Sequence, residues 1–183
     1  MVDLKEFEQK AADLRVLGMK ISIGQDTVYE KYWDEDCRRN IYSASKSFTS
    51  CAVGFAVQEG LIDLDERLMD AFKEDIPNNP DENLKKATVK DLLTMTLGQE
   101  KGFLMGKQRP RMEEQNWVKA SLAIPFVYEP GTHFVYNNVG PYLAGILVQR
   151  RAGCDLLSYL TPRLLKPLGI RKTIWEVDPE GNT

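Results

Sequence analysis

The chain has 183 residues, 43% of them hydrophobic, and a formal net charge of −3, enough apolar material for one sizeable core in one domain. Acids and bases are interspersed without a basic stripe, and no apolar run approaches the roughly 20 residues of a membrane span, which argues against nucleic acid and membrane as partners. Met1 to Glu8 lacks the charged-then-apolar layout of a signal peptide, so a cytoplasmic location is expected, and the odd, widely spaced Cys37, Cys51 and Cys154 predict buried free thiols rather than a disulfide framework or a zinc site.

Leu4, Phe7, Ala11 and Leu14 recur at helical spacing and Gly18 closes the pattern, predicting an amphipathic helix over 3–17. Met19 to Gly24 and Thr27 to Trp33 alternate as strands, with Gln25 and Asp26 as the turn of a hairpin, and the acidic Asp34-Glu35-Asp36 leads onward. Ala44, Phe48, Cys51 with Ala52, and Phe55 mark one face of a core helix that ends at Gly60. Thr88 with Asp91 is the capping pattern of a short helix through Leu92 and Met95, ended by Gly98. Lys101 to Met112 is Gly-rich, basic and aperiodic, an exposed and mobile loop by composition. Further helices are expected over 113–124, from Pro141 to Gly153 and over 155–165, with Glu129-Pro130-Gly131 a turn and Phe134-Val135-Tyr136 an extended piece.

The chemistry centres on Ser43-Ala44-Ser45-Lys46. A helix brings residues i and i+3 to one face, so the Lys46 amine can lie beside the Ser43 hydroxyl. Serine becomes a nucleophile when a neighbour takes its proton, and a lysine whose charge is disfavoured can be that neighbour or tune it. The first turn also offers unpaired N–H groups, among them that of Ser43, to a developing oxyanion. Taken alone, such a serine cluster at a helix start is usually just a cap.

Several segments together resemble the serine β-lactamase-like superfamily, closest to class C β-lactamases, related esterases and penicillin-binding DD-peptidases. Ser43-Ala44-Ser45-Lys46-Ser47-Phe48-Thr49 looks like its nucleophile motif (SxxK). Glu59 to Asp65 and Thr88 to Gly98 look like structural landmarks, Phe134-Val135-Tyr136-Asn137-Asn138 like its Tyr-x-Asn element, and Lys166-Pro167-Leu168-Gly169 like its Pro-Leu-Gly turn. The resemblance implies an α+β, mostly helical, β-lactamase/transpeptidase-like fold, here a truncated N-terminal part of the domain. Residues 1–42 would be helix and hairpin, 43–172 the nucleophile helix and helical subdomain, and 173–183 a tail.

The resemblance also implies roles. Ser43 would be acylated, Lys46 would help deprotonate it, Tyr136 would act as phenolate or proton shuttle, and Asn138 would hydrogen-bond both the substrate amide and the lysine. Residues two apart in an extended segment share a side, so Tyr136 and Asn138 can face a cleft while Asn137 turns away; the competing reading makes Asn138 a cap of the next helix. The family's late Lys-Thr-Gly strand is absent; Lys172-Thr173-Ile174 lacks the glycine and comes too early. A Ser-His-Asp triad would require His133, the single histidine, and no Gly-x-Ser-x-Gly elbow is present. The expected activity is acyl transfer through Ser43 on a small-molecule ester or cyclic amide, with no metal or organic cofactor. The motifs suit β-lactamase, carboxylesterase and D-amino-acid peptidase alike. The competing expectation is a catalytically incomplete binding or assembly module, self-associating through an open sheet edge.

Overall fold

A computed structural model describes residues 3–35 and 37–183; Asp36 of the acidic run, with Met1 and Val2, lies outside them. The chain divides into two units, Met1–Ile41 and Tyr42–Thr183.

In the first unit, helix α1 spans Lys5–Ala11, shorter than the 3–17 expected. Leu14 and Leu17, whose spacing extended the expectation, are exposed, and Arg15 takes φ +54°, a left-handed conformation that ends a helix of L-residues. Strands β1 (Gly18–Ile23) and β2 (Asp26–Tyr32) pair antiparallel, Gly18 opposite Tyr32 and Ile23 opposite Asp26, with a register shift between Ile21 and Ser22. The turn falls on Gly24 and Gln25, one residue earlier than expected, because Gly24 supplies the positive φ that a two-residue hairpin needs at its first central position. A two-stranded hairpin needs cover, and α1 provides it. Phe7 meets Trp33 edge-on with ring centroids 6.0 Å apart, and Glu8 accepts the Tyr29 hydroxyl at 2.9 Å and Lys31 Nζ at 2.5 Å.

The second unit begins with a 3-10 turn, Tyr42–Ala44, that runs into α2 (Ser45–Gln58). Gly60, at φ +71°, closes α2. The buried stripe of α2 is Thr49, Ala52, Val53 and Ala56, rotated from the expected face: Ala44 and Cys51 are exposed, while Phe48 and Phe55 are half-buried. Small side chains face the partner because α2 packs on α7 (Val139–Ala152), whose residues 143–148 are all buried. A Cβ placed on Gly145 would stand 3.7 Å from Thr49 Cγ2. That rotation leaves Cys51 exposed, and Cys37 and Cys154, which lie outside α2, are exposed as well, so the expectation of buried thiols is overturned.

Between these helices lie α3 (Leu68–Ala71), α4 (Glu82–Lys86), α5 (Val89–Thr94) and α6 (Trp117–Leu122). The expected capping box opens α5, with the Asp91 carboxylate accepting the Thr88 N–H at 2.9 Å. Met95, at φ +56°, ends α5, so Gly98 has another purpose. A Cβ there would lie 2.2 Å from the Tyr128 carbonyl oxygen, and only glycine lets the two backbones pass. Asn116 caps α6 through Lys119 N at 2.8 Å, later than the expected start at 113. Helix α8 (Leu156–Leu160), capped by Asp155, passes into a π-turn, Thr161–Leu165, where Pro162 removes a backbone donor. The core of this unit gathers Phe72, Leu92, Leu122, Leu143, Leu147 and Tyr159.

Residues 173–183 form neither helix nor strand, yet they dock on α7. The buried Asp178 accepts the Tyr142 hydroxyl at 2.5 Å together with the N–H groups of Glu180 and Asn182. Thr183 exchanges hydrogen bonds with Gln149.

Candidate active site

Ser43 sits in the 3-10 turn ahead of α2, where side chains three apart eclipse one another. Lys46, three residues on in the first turn of α2, donates from Nζ to Ser43 Oγ at 3.1 Å. Tyr42, immediately before the serine, holds φ +46°, a left-handed conformation that costs a non-glycine residue about 1–2 kcal/mol. Ser43 itself is exposed, apart from the buried stripe of α2.

Tyr136 and Asn138 come from the segment between the Gly131 turn and α7. It is irregular rather than a strand, but its backbone is fastened by Val135 N–H to Met95 O at 3.0 Å and Asn138 N–H to Phe103 O at 3.2 Å. The Tyr136 hydroxyl donates to Ser43 Oγ at 2.8 Å, and Asn138 Oδ1 accepts from Lys46 Nζ at 2.8 Å. Lys46 Nζ also lies 5.3 Å from the centre of the Tyr136 ring, within cation–π range. The four residues singled out in the sequence thus form one hydrogen-bonded cluster in which Ser43 Oγ accepts from two donors.

Asn137 turns the other way. It is buried, its Oδ1 accepts Gly140 N–H at 2.9 Å, and its Nδ2 donates to Val135 O at 2.7 Å. Capping of α7 therefore falls to Asn137, while the Asn138 side chain makes no cap bond and is left for Lys46. The hydrogen bond with Ser43 holds the Tyr136 phenol below its ordinary value, and the Lys46 cation adds to this against an opposing effect of burial.

His133 is exposed, shares a 2.8 Å hydrogen bond with Thr132 Oγ1 through Nδ1, and stacks on Tyr128 at 4.2 Å between centroids. It is a satisfied surface residue. Among the described residues no group of three or more His, Cys, Asp or Glu side chains could hold a metal ion, and no helix is long and apolar enough to cross a membrane. Sequence reasoning passed over Leu104, read as part of an exposed loop. It is 2% exposed, and its carbonyl accepts Asn138 Nδ2 at 2.9 Å. The one signal was an apolar run, Phe103-Leu104-Met105, among glycines and bases.

A helical core that carries serine and lysine at the head of its central helix, with a tyrosine and an asparagine facing them from the segment that leads into α7, defines a domain of the β-lactamase and penicillin-binding-protein type. The sequence model of the Beta-lactamase family matches residues 5–182, and the chain belongs to that family. It is 31% identical over 157 residues to a monacolin J acid methylbutanoyltransferase of Aspergillus terreus, covering 75% of this chain and 37% of that one. It is also 31% identical over 150 residues to a lovastatin esterase of Penicillium rubens, covering 70% of this chain and 37% of the relative. The octameric penicillin-binding protein homologue from Pyrococcus abyssi superimposes with a TM-score of 0.73 at 23% identity, over 96% of this chain and 45% of that one. The chain spans little more than a third of the length of the two curated relatives, and matches the N-terminal part of the family's domain.

Proposed function

We propose that the chain carries the nucleophile half of a serine acyl-transfer site, working as an ester or amide hydrolase or as an acyltransferase. The observation that carries this is the double hydrogen bond onto Ser43 Oγ, from Lys46 Nζ and the Tyr136 hydroxyl. When Tyr136 ionises, its bond with Ser43 reverses and the serine becomes the donor; the proton passes to the phenolate oxygen as Oγ bonds to the acyl carbon. The Lys46 ammonium, held by Asn138, offsets the charge left beside it. Collapse of the tetrahedral adduct breaks the bond to the leaving alcohol or amine, which takes the proton back from Tyr136. Water, or an acceptor alcohol, then removes the acyl group from Ser43 by the same steps in reverse.

The names of the two curated relatives, one a methylbutanoyltransferase and one an esterase, support an acyl ester as the substrate class. Neither a β-lactam nor a D-amino-acid peptide has comparable support. Binding without turnover is the competing reading, favoured by the openness of the cluster: Ser43 is exposed and Tyr136 is 45% exposed, which admits competing water.

The test is intact-protein mass spectrometry after exposure to a fluorophosphonate, with S43A as control, followed by turnover of a short-chain aryl ester. One adduct on the wild-type chain and none on S43A is expected. A folded wild-type chain that takes no label would favour the binding module.

A further inference from the structure

A carboxamide has an acceptor end and a donor end, and the chemistry at a site depends on which end faces which partner. At Asn138 both ends are specified. Lys46 ammonium can only donate, so Oδ1 must face it, and the Leu104 carbonyl can only accept, so Nδ2 must face that. A flipped amide would set oxygen against oxygen and N–H against ammonium.

The Leu104 carbonyl is itself held in place. Leu104 is 2% exposed, and its φ of +55° is a left-handed conformation that leucine rarely adopts. Its neighbour Phe103 accepts the backbone N–H of Asn138. One residue earlier, Gly102 runs so close to the catalytic segment that a Cβ there would lie 2.7 Å from the Tyr136 carbonyl oxygen. Three consecutive residues of a loop that reads as featureless in sequence therefore touch residues 136–138.

We infer that Gly102, Phe103 and Leu104 form a backbone clamp of positioning residues, which fixes the orientation of the Asn138 carboxamide and sets the distance of Tyr136 from Ser43. The inference rests on the reading of Ser43, Lys46, Tyr136 and Asn138 as an acyl-transfer site and names what holds that site in register. Fixing one N–H of Nδ2 on Leu104 O leaves the second to point at a substrate carbonyl, so the clamp also orients the donor that would meet substrate.

Three readouts test it. In the ¹⁵N-labelled wild-type chain, the Asn138 side-chain amide, assigned by its loss in N138S, is expected to exchange with solvent at least ~10-fold more slowly than that of the exposed Asn79. In G102A, whose new methyl group must push back the Tyr136 backbone, the ¹³C-detected titration of the Tyr136 ring is expected to move up toward the ordinary tyrosine value. Fluorophosphonate labelling of Ser43 in G102A is expected to slow by at least ~10-fold.

Exchange at Asn138 equal to that at Asn79 would overturn the clamp, and this result stands even if G102A does not fold. A folded G102A with unchanged titration and labelling within ~2-fold of wild type would overturn it as well. Failure of the wild-type chain to take label removes the acyl-transfer reading alone, because exchange and titration still decide the clamp.

Discussion

Replacing Tyr136 by Phe removes one hydroxyl and little else. The ring is 45% exposed, and the hydroxyl's hydrogen bond to Ser43 Oγ, at 2.8 Å, joins two exposed residues, so stability should change by no more than about 0.5 kcal/mol. Loss of a positioned general base costs about 10²–10⁴-fold in rate, or about 3–5 kcal/mol in the barrier at 1.36 kcal/mol per decade. The pH profile adds a second signature. Because Ser43 and then Lys46 hold the Tyr136 phenol below its ordinary value of about 10, the wild-type labelling rate should climb with pH through that lowered value, and Y136F should lose this limb. The same depression means that ionised Tyr136 stabilises the fold above the unfolded-state value, a contribution lost as pH falls through the lowered folded-state value. The assay is the rate of fluorophosphonate labelling of Ser43 between pH 6 and 10, by intact mass, beside a thermal melt. Labelling of Y136F within about threefold of wild type, with the same pH profile, would refute the assignment of Tyr136 as the base.

The two asparagines should separate cleanly. N137A removes a buried cap and is expected to cost about 1–2 kcal/mol in urea unfolding with little effect on Ser43 labelling, whereas N138A, which strips the Leu104 carbonyl and Lys46 of a partner, should cost about 1 kcal/mol and also slow Ser43 labelling. Gly140 carries no side chain because a Cβ would stand 2.2 Å from the Leu92 carbonyl oxygen, where α5 crosses α7; G140A should destabilise by about 3 kcal/mol through overpacking, read in the same titration. Tyr159, buried and donating to Glu59 at 2.9 Å, has its phenol pushed up to about 12, first by burial and then by the Glu59 carboxylate. Its contribution is complete below about pH 10 and is lost as pH rises from there through about 12, so Y159F should flatten that part of the alkaline unfolding curve.

Much of the site was legible because its signals are local. Ser43 and Lys46 are three apart at a helix start, so spacing assigns them to one face; Tyr136 and Asn138 are two apart in a stretch expected to be extended, and although the segment is irregular both side chains reach the cluster. Glycines and caps likewise announced most element ends: the Thr88–Asp91 box and Gly153 fell where their chemistry required. What failed depended on partners distant in the chain. The helix expected over 3–17 stopped at Ala11, and the face of α2 turned so that Thr49 meets Gly145 of α7 while Cys51 lies exposed. Gly98, which looks like a helix terminator, instead lets Tyr128 pass.

By itself the sequence determined the residue types, their spacing along each element and the family, since these follow from periodicity and from motifs in order. Only the tertiary structure decided that Lys46 meets Asn138 across 92 positions and Ser43 meets Tyr136 across 93. It also decided that Asn137 rather than Asn138 caps α7, and that Leu104 lies beneath the site. The physical reason is that a hydrogen bond is directional and works over about 3 Å: spacing along the chain can bring a residue to the correct face, but only packing of distant elements sets which donor finds which acceptor.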